Sequence, residues 1–289
     1  MSNVGFLVLF REYIKYFRDH PDHNKRLKPQ TVAQITNKYS LVADFLFFHN
    51  AQKLDAYSFD YEICTQLFDY MIKNQYSHNY IVRTIGECKR ALDFGARAGL
   101  IPSNPSGHYK LKKMPPADPI YLTPDQIRAI ENYSPRGSKL KKTKDLLILQ
   151  IHTGVSYGDF SEISRHHVTF FKGVKYFIKP RHKTKNKQIV PLSIMAEVIL
   201  ERYNYSMKLL SSPKYNEYLK LLAINLGIPH KLKCKDGRTI FFMNKLNNEG
   251  YSIEATSKMG GHKTVKTTET YYAQVGINLI HNEHLKKKE

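Results

Sequence analysis

The stretch GGHKTVKTTETYYAQV, residues 260–275, is the most informative part of the chain. It holds one histidine, His262, a run of threonines and lysines, and then two adjacent tyrosines, Tyr271 and Tyr272. A tyrosine pair on an ordinary helix would only contribute packing. Because neighbouring helical residues point about 100° apart at ~3.6 residues per turn, only one of the two can face a given site. The stretch therefore raises the question of whether one tyrosine is a nucleophile.

The composition indicates a folded protein with a polyanionic partner. The chain has 289 residues, of which 42% are hydrophobic and 12% aromatic, and this favours a globule over a disordered chain. The length allows one large domain or two ordinary ones. The formal net charge is +20. Because Lys and Arg that neutralise phosphates release condensed counterions, this excess predicts binding to a polyanion.

Other protein classes fit the sequence less well. A basic protein of the membrane surface would need an amphipathic anchor or a lipidation motif, and the sequence shows neither. Apolar runs such as 41–48 and 146–151 are too short to span a bilayer, and the N-terminus lacks the basic start of a signal peptide. The three cysteines form no CxxC pair, so we expect neither a disulfide framework nor a zinc site. We therefore expect a reduced, intracellular protein.

The first hundred residues have the periodicity of helices. Apolar residues recur at helical spacing in the segments 31–48, 59–73 and 77–98. On the third segment Arg83, Arg90 and Arg97 recur every seven residues, away from its apolar face. Such a stripe is either a solvated face or a row of phosphate contacts. In a chain this basic we favour phosphate contact.

A proline-rich segment divides the chain. The stretch LIPSNPSGHYKLKKMPPADP, residues 100–119, cannot continue a helix. Its lysines, among them Lys112 and Lys113, predict an extended, basic connector over 107–120. The predicted parts of the chain are a helical domain over 1–106, this linker, a second domain over 121–275 and a tail over 276–289.

The second domain mixes helices with one small sheet. Thr123 is a good N-cap with Gln126 at the capping-box position, and a helix over 141–152 ends at Gly154. The segment 168–192 has two β-prone runs and a polar basic turn, which predicts an antiparallel sheet of about three strands. Further helices are predicted over 195–205, 214–226, 239–248, 253–259 and 265–275.

Four motifs give the chain a resemblance to the tyrosine recombinase, or phage integrase, family. They are HTGVSYGDFSEI at 152–163, KPRHKTKNKQIVPL at 179–192, KDGRTIFF at 235–242 and SKMGGHKTVKTTETYY at 257–272. The resemblance covers nearly the full length. It implies a mainly α fold with a small antiparallel β-sheet, in which a helical, SAM-like core-binding domain precedes an α+β catalytic domain.

The resemblance also implies a reaction. In this family a tyrosine attacks a DNA phosphodiester, forms a 3′-phosphotyrosyl bond and releases a 5′-hydroxyl. The energy of the broken bond is kept, so the reaction needs no cofactor, neither ATP nor metal. Basic side chains neutralise the transition-state phosphate, orient it and protonate the leaving oxygen. The implied partners are double-stranded DNA at recombination sites, other copies of the chain in a tetramer, and DNA-bending accessory proteins. The implied location is the cytoplasm, at the nucleoid.

The family's site residues carry over to specific positions. Tyr271 lies nine residues after His262, as the family's nucleophile lies after its glycine-histidine pair, and Tyr272 then becomes the packing residue. Arg238 matches the arginine of the H-x-x-R motif, whose planar fork can bond two phosphate oxygens at once. Lys183 matches the lysine on the sheet's hairpin that acts as general acid. Neighbouring basic residues leave the choice of lysine open: Lys179, Arg181, Lys185 and Lys187.

Two positions depart from the family. Ser156 stands where the family carries its first arginine, and Lys235 replaces the first histidine of H-x-x-R while keeping positive charge there. Losing one preorganised donor to a transition-state oxyanion costs roughly 2.7 to 4 kcal/mol, or about 10²- to 10³-fold in rate. Arg165 and Arg181 are the candidates to replace the missing guanidinium.

The sequence therefore predicts a mobile-element integrase that acts through Tyr271. Two alternatives stay open: a catalytically impaired member that only binds DNA as a regulator, and a topoisomerase or telomere-resolvase-like strand transferase. The predicted DNA contacts are Arg83, Arg90, Arg97, Lys112, Lys113 and Arg181. The tail 276–289 is expected to dock on a neighbouring protomer or to fold back on its own domain.

Overall fold

The structure is a computed structural model that describes residues 4–115 and 118–272, with the backbone alone for Tyr271 and Tyr272. The predicted docking of the tail 276–289 lies outside the described residues. The chain divides into two compact units, Met1–Pro115 and Pro116–Glu289. Their border lies inside the segment predicted as the linker.

The first unit is a bundle of helices around an aromatic core. Its α-helices are α1 (Phe6–Asp19), α2 (Pro29–Phe48), α3 (Tyr61–Lys73) and α4 (His78–Arg97). Pro29 occupies the first turn of α2, where its missing N–H leaves no hydrogen bond unmade. Asp60 caps α3 by accepting from the backbone N–H groups of Glu62 and Ile63. Phe6 of α1 stacks on Phe59 at 4.0 Å between ring centroids, within the core.

The segment after α4 packs along that helix. Lys89 on α4 donates to the carbonyl oxygens of Gly107 (3.1 Å) and Tyr109 (2.8 Å). The side-chain amide of Asn79 bonds the backbone N–H of Met114 at 2.9 Å and its carbonyl at 3.0 Å. Because Tyr109 is also buried in the core, residues up to 115 belong to the first unit. The first half of the predicted linker is therefore a docked segment.

The second unit is mostly helical. Its α-helices are α5 (Pro124–Asn132), α6 (Ser138–Thr153), α7 (Ile194–Arg202), α8 (Ser212–Asn225), α9 (Asp236–Asn247), α10 (Ile253–Met259) and α11 (Val265–Tyr272). Thr123 and Gln126 form the capping box predicted at the start of α5. Helix α6 is apolar on all sides over Leu146–Leu149, as expected for a helix at the centre of a core.

A three-stranded sheet interrupts these helices between α6 and α7. Strands β1 (Val168–Phe171), β2 (Val174–Pro180) and β3 (Lys187–Pro191) are antiparallel in the order β1-β2-β3. Alternate side chains of β2 and β3, such as Phe177 and Val190, are buried, so one face covers the core. The turn from β2 to β3 closes where Arg181 donates its N–H to the Asn186 carbonyl (3.0 Å). The predicted fold class, mainly α with a small antiparallel sheet, is confirmed.

In the part of the chain that the structure describes, no helix is both long and apolar enough to cross a membrane.

Candidate active site

Arg238 joins three segments of the second unit. It lies in the first turn of α9 and is only 7% exposed. Its Nη1 donates to the carbonyl oxygen of Gly154, at the end of α6. Its Nη2 donates to the carbonyl oxygen of Gly260 (2.5 Å) and to Nε2 of His262 (3.1 Å), in the turn after α10. The guanidinium also lies over the ring of Phe242, with 5.0 Å from Cζ to the ring centroid.

His262 is held as a neutral ring of defined tautomer. Because a guanidinium can only donate, Nε2 of His262 accepts from Arg238, and Nδ1 carries the proton. Nδ1–H donates to Oγ1 of Thr268 at 2.8 Å. The ring stacks on Phe242, with centroids 4.7 Å apart and planes 10° apart. Burial first, and then the charges of Arg238 and Arg181, lower the pKa of His262 to about 4.

Two glycines let the loops approach α9. Gly154 has a φ of +66°, and a Cβ there would lie 2.6 Å from the ring of Phe241. A Cβ on Gly260 would lie 2.0 Å from Cζ of Phe242. Any side chain at either position would push its loop off the helix. The two carbonyls that hold Arg238 therefore depend on glycine for their position.

Thr268 connects His262 to the helix that carries the tyrosine pair. Its side chain is fully buried, and it lies three residues before Tyr271. The hydrogen bond to Nδ1 of His262 fixes α11 against the turn that precedes it. Tyr271 and Tyr272 lie in the last turn of α11. The choice of Tyr271 over Tyr272 stays a prediction.

Arg181 points to Ser156, the position where the family's first arginine is missing. Its Nη2 lies 3.5 Å from Oγ of Ser156. Its aliphatic chain runs along Gly261, where a Cβ would lie 3.0 Å from Cδ of Arg181. Arg165, the other candidate to replace that arginine, has its Cζ 5.0 Å from the ring centroid of Tyr205.

The other predicted residues of the second unit differ in exposure. Lys183, in the turn between β2 and β3, and Lys235, the N-cap of α9, are both exposed. Within residues 4–115 and 118–272, neither ammonium makes a hydrogen bond or an ion pair. Lys179, one of the alternatives to Lys183, is 1% exposed and donates to Oε2 of Glu162 at 2.7 Å. A lysine committed to that ion pair is poorly placed to transfer a proton.

The predicted DNA contacts of the first unit separate into two places. Arg83 and Arg90 line a groove beside the docked segment, together with Lys112 and Lys113. These side chains form one basic surface, which we call the α4 groove. Arg97 lies near the far end of α4, beside Pro102 and Asn104. The roles of all five as DNA contacts stay predictions.

Sequence reasoning missed two features of the second unit. Thr268 was not identified, although it lies three residues after Val265 on α11, the spacing of residues that share a helix face. The bond from the backbone N–H of His182 to Asp159 (3.1 Å), which holds the β2–β3 turn, has no signature in the sequence.

Comparison with known proteins assigns the family. Residues 121–276, more than half of the chain, match the model of the phage integrase family. The chain belongs to the phage integrase family. Among the described residues, no group of three or more His, Cys, Asp or Glu side chains is arranged to hold a metal ion. The prediction of a tyrosine recombinase is confirmed.

Known relatives of this integrase-family chain include two tyrosine recombinases, XerC and XerD. Tyrosine recombinase XerC of Roseiflexus sp. (strain RS-1) is 21% identical over 287 residues, which cover 90% of this chain and 88% of XerC. Tyrosine recombinase XerD of Halalkalibacterium halodurans is 24% identical over 212 residues, which cover 66% of this chain and 69% of XerD.

Solved structures share the fold over nearly the whole chain. The Tn1549 transposon integrase in complex with transposon right end DNA has a TM-score of 0.70 at 14% identity, covering 99% of this chain and 100% of that one. A lambda integrase dimer bound to a COC′ core site has a TM-score of 0.74 at 15% identity, covering 95% and 79%. A lambda integrase tetramer bound to a Holliday junction has a TM-score of 0.71 at 16% identity, covering 95% and 81%.

Proposed function

We propose that the chain recombines DNA at specific sites, as the integrase of a mobile element, by cutting and rejoining strands through Tyr271. The phenolic oxygen attacks the scissile phosphorus and the bond from phosphorus to the 5′ oxygen breaks. The phenol loses a proton, the 5′ oxygen gains one, and a 3′-phosphotyrosyl bond remains. A 5′-hydroxyl then reverses the step on the new partner strand. The observation that carries the proposal is the contact of Arg238 with His262, in the turn that leads into the helix of Tyr271.

Arg238 acts on the phosphate, and His262 positions Arg238. The two backbone carbonyls that hold the guanidinium are neutral and cancel none of its charge, and charge-assisted bonds from it strengthen as negative charge develops on the phosphate. The lowered pKa of His262 keeps the ring neutral at pH 7, so Nε2 accepts from Arg238 and holds the guanidinium in position. Removing one such preorganised group costs about 10²- to 10³-fold in rate.

Lys183 donates the proton that the 5′ oxygen takes up, and Lys235 adds positive charge beside Arg238. Lys183 is exposed on the turn after β2 and so can meet DNA laid across the unit. A substrate with sulfur in place of the 5′ bridging oxygen tests this role, because a thiolate leaves without a proton. Lys183→Ala should cleave the ordinary substrate slowly and the sulfur substrate at close to the wild-type rate. Lys185→Ala, measured in parallel, shows which lysine is the acid.

The α4 groove binds the DNA backbone, with Arg97 extending the contact along α4. Backbone contacts position a protein on the duplex, and base contacts from the helices of the first unit specify the site. We further propose a tetramer on two recombination sites, DNA-bending accessory proteins and a location at the nucleoid in the cytoplasm. The similarity to the lambda integrase tetramer supports the tetramer.

The reaction requires no ATP, because the phosphotyrosyl bond conserves the energy of the phosphodiester, and no metal ion, because basic side chains neutralise the phosphate. Recombination should therefore proceed at an unchanged rate in buffer that contains EDTA and no nucleotide. A rate that EDTA abolishes and added Mg²⁺ restores would contradict this part of the proposal.

A nicked suicide substrate tests the central step. After cleavage, such DNA releases a short fragment that carries the 5′-hydroxyl, so that hydroxyl cannot reverse the step. The covalent protein–DNA adduct therefore accumulates and migrates slowly in a denaturing gel. The adduct should be absent with Tyr271→Phe and present with Tyr272→Phe, the matched control on the same helix turn. An adduct that persists in Tyr271→Phe would contradict the assignment of the nucleophile.

The same experiment separates the alternatives. DNA binding without an adduct on any site flanking the gene would favour a catalytically impaired regulator. An adduct with relaxation of supercoils but no strand exchange would favour a topoisomerase.

A further inference from the structure

Position 156 lacks the charge that the reaction needs. A serine hydroxyl brings no positive charge, whereas the family carries an arginine there to neutralise the phosphate. Two arginines were candidates to replace it, and the structure distinguishes them. The guanidinium of Arg165 lies over the ring of Tyr205 instead. The guanidinium of Arg181 lies at the serine itself.

Three observations place Arg181 at the site. Its Nη2 lies 3.5 Å from Oγ of Ser156. A Cβ on Gly261 would lie only 3.0 Å from Cδ of Arg181, so glycine at position 261 leaves space for the aliphatic part of the Arg181 side chain. Its charge is close enough to His262 to contribute to the lowered pKa of that ring.

The guanidinium of Arg181 is only partly satisfied. Its Nε is shielded from solvent and has no hydrogen-bond partner among the described residues. The bond to Ser156, at 3.5 Å, is at the long limit for a hydrogen bond. Shielded donors without partners are rare in folded proteins, because each one has lost its hydrogen bond to water on folding and has gained none in return, which costs free energy. An incoming anion with several acceptor oxygens would supply the missing partners.

The β2–β3 turn is fixed so that Arg181 is aimed inward. The carboxylate of Asp159, three residues after Ser156, accepts the backbone N–H of His182 at 3.1 Å. Glu162 pairs with Lys179 at 2.7 Å and also contacts the ring of His182. The residues on both sides of Arg181 are therefore tied to the segment that follows Ser156.

We propose that Arg181 binds the scissile phosphate in place of the arginine that is missing at position 156. It enters from the end of β2, and together with Arg238 it supplies the two guanidinium groups that neutralise the transition state. The short side chain of Ser156 is part of this arrangement, because a longer one directed along the same line would overlap Nη2 of Arg181. The proposal rests on the proposed strand cleavage through Tyr271.

Cleavage of a neutral phosphate analogue tests the proposal. Arg181→Ala should form the adduct about 10²- to 10³-fold more slowly than wild type on a suicide substrate. A methylphosphonate at the scissile position carries no charge on its nonbridging atoms, so the missing cation matters less there. We expect Arg181→Ala to gain at least about tenfold on the methylphosphonate relative to its own rate on the phosphodiester. Arg165→Ala is the matched control, and it should show the wild-type rate and no such gain.

The outcomes distinguish this proposal from the proposed function. If wild type forms no adduct, the proposed cleavage fails. If wild type cleaves and Arg181→Ala cleaves within threefold of it, or is equally slow on both substrates, only the role of Arg181 is overturned. Thermal melting and DNA binding show whether each variant is folded. Should Arg181→Ala not fold, Arg181→Lys keeps the charge but loses the planar fork, and the same substrate comparison applies with a smaller deficit.

Discussion

Replacing Thr268 by valine removes one oxygen from the centre of the site and almost no volume. In the native chain that oxygen accepts Nδ1–H of His262 at 2.8 Å, and the threonine side chain is fully buried. The ring cannot compensate by changing tautomer, because Nε2–H would then face an N–H of Arg238 at 3.1 Å. Removing one partner of a buried hydrogen bond costs about 1 to 3 kcal/mol. We expect Thr268→Val to lower the free energy of unfolding by that amount.

Thr270→Val is the matched control. Thr270 lies on the exposed side of the same helix and donates only to the carbonyl of Lys266. Its replacement should change stability by less than about 0.5 kcal/mol. Urea denaturation measures both variants, and nitrogen-15 NMR of the imidazole should report the Nδ1–H tautomer in wild type. Equal stability of the two variants, or an Nε2–H tautomer in wild type, would refute the proposed hydrogen-bond network.

Acidification tests the half-buried imidazole of His262. Its pKa is lowered from 6.5 to about 4, so the unfolded chain binds the proton more readily than the folded chain. Stability from the neutral ring is therefore full above pH 6.5 and falls as the pH approaches 4, and His262→Gln should remove this part of the pH dependence of urea denaturation. Gly260→Ala should destabilise the protein by about 1 to 3 kcal/mol in urea denaturation, because the new Cβ would collide with the ring of Phe242. In the control Gly158→Ala the new Cβ meets no atom within 4 Å, so the stability should be nearly unchanged. Arg83→Ala should reduce the magnitude of the slope of log K, the DNA association constant, against log salt by about 0.9, because one phosphate contact is lost. In the control Arg18→Ala the slope should be unchanged in the same binding titration, because the charge of Arg18 is paired with Asp19.

Local signals in the sequence predicted the elements of the fold well. The capping box at Thr123 marked the start of α5, and Gly154 marked the end of α6, because both depend on residues close in the chain. The sheet was recognisable from two β-prone runs around Gly173. Helix α1 was not predicted, although Phe6, Leu9, Phe10 and Tyr13 recur at helical spacing on its buried side.

Contacts between distant segments could not be predicted in the same way. The sequence alone left Arg165 and Arg181 as equal candidates, since nothing local shows that Asp159 and Glu162 hold the β2–β3 turn against Ser156. Docking of the linker depends on Asn79 and Tyr109, whose partners lie on other elements of the first unit. Periodicity indicates which face of an element is buried, but it does not identify the neighbour that covers it.

The two carbonyl oxygens that hold Arg238 have a consequence for the electric potential of the second unit. A carboxylate in their place would orient the side chain equally well, but it would form an electrically neutral pair. These two peptide dipoles fix the direction of the guanidinium without adding any negative charge of their own. These two contacts therefore subtract nothing from the positive potential of the guanidinium, which acts on an approaching anion before any atom of that anion makes contact.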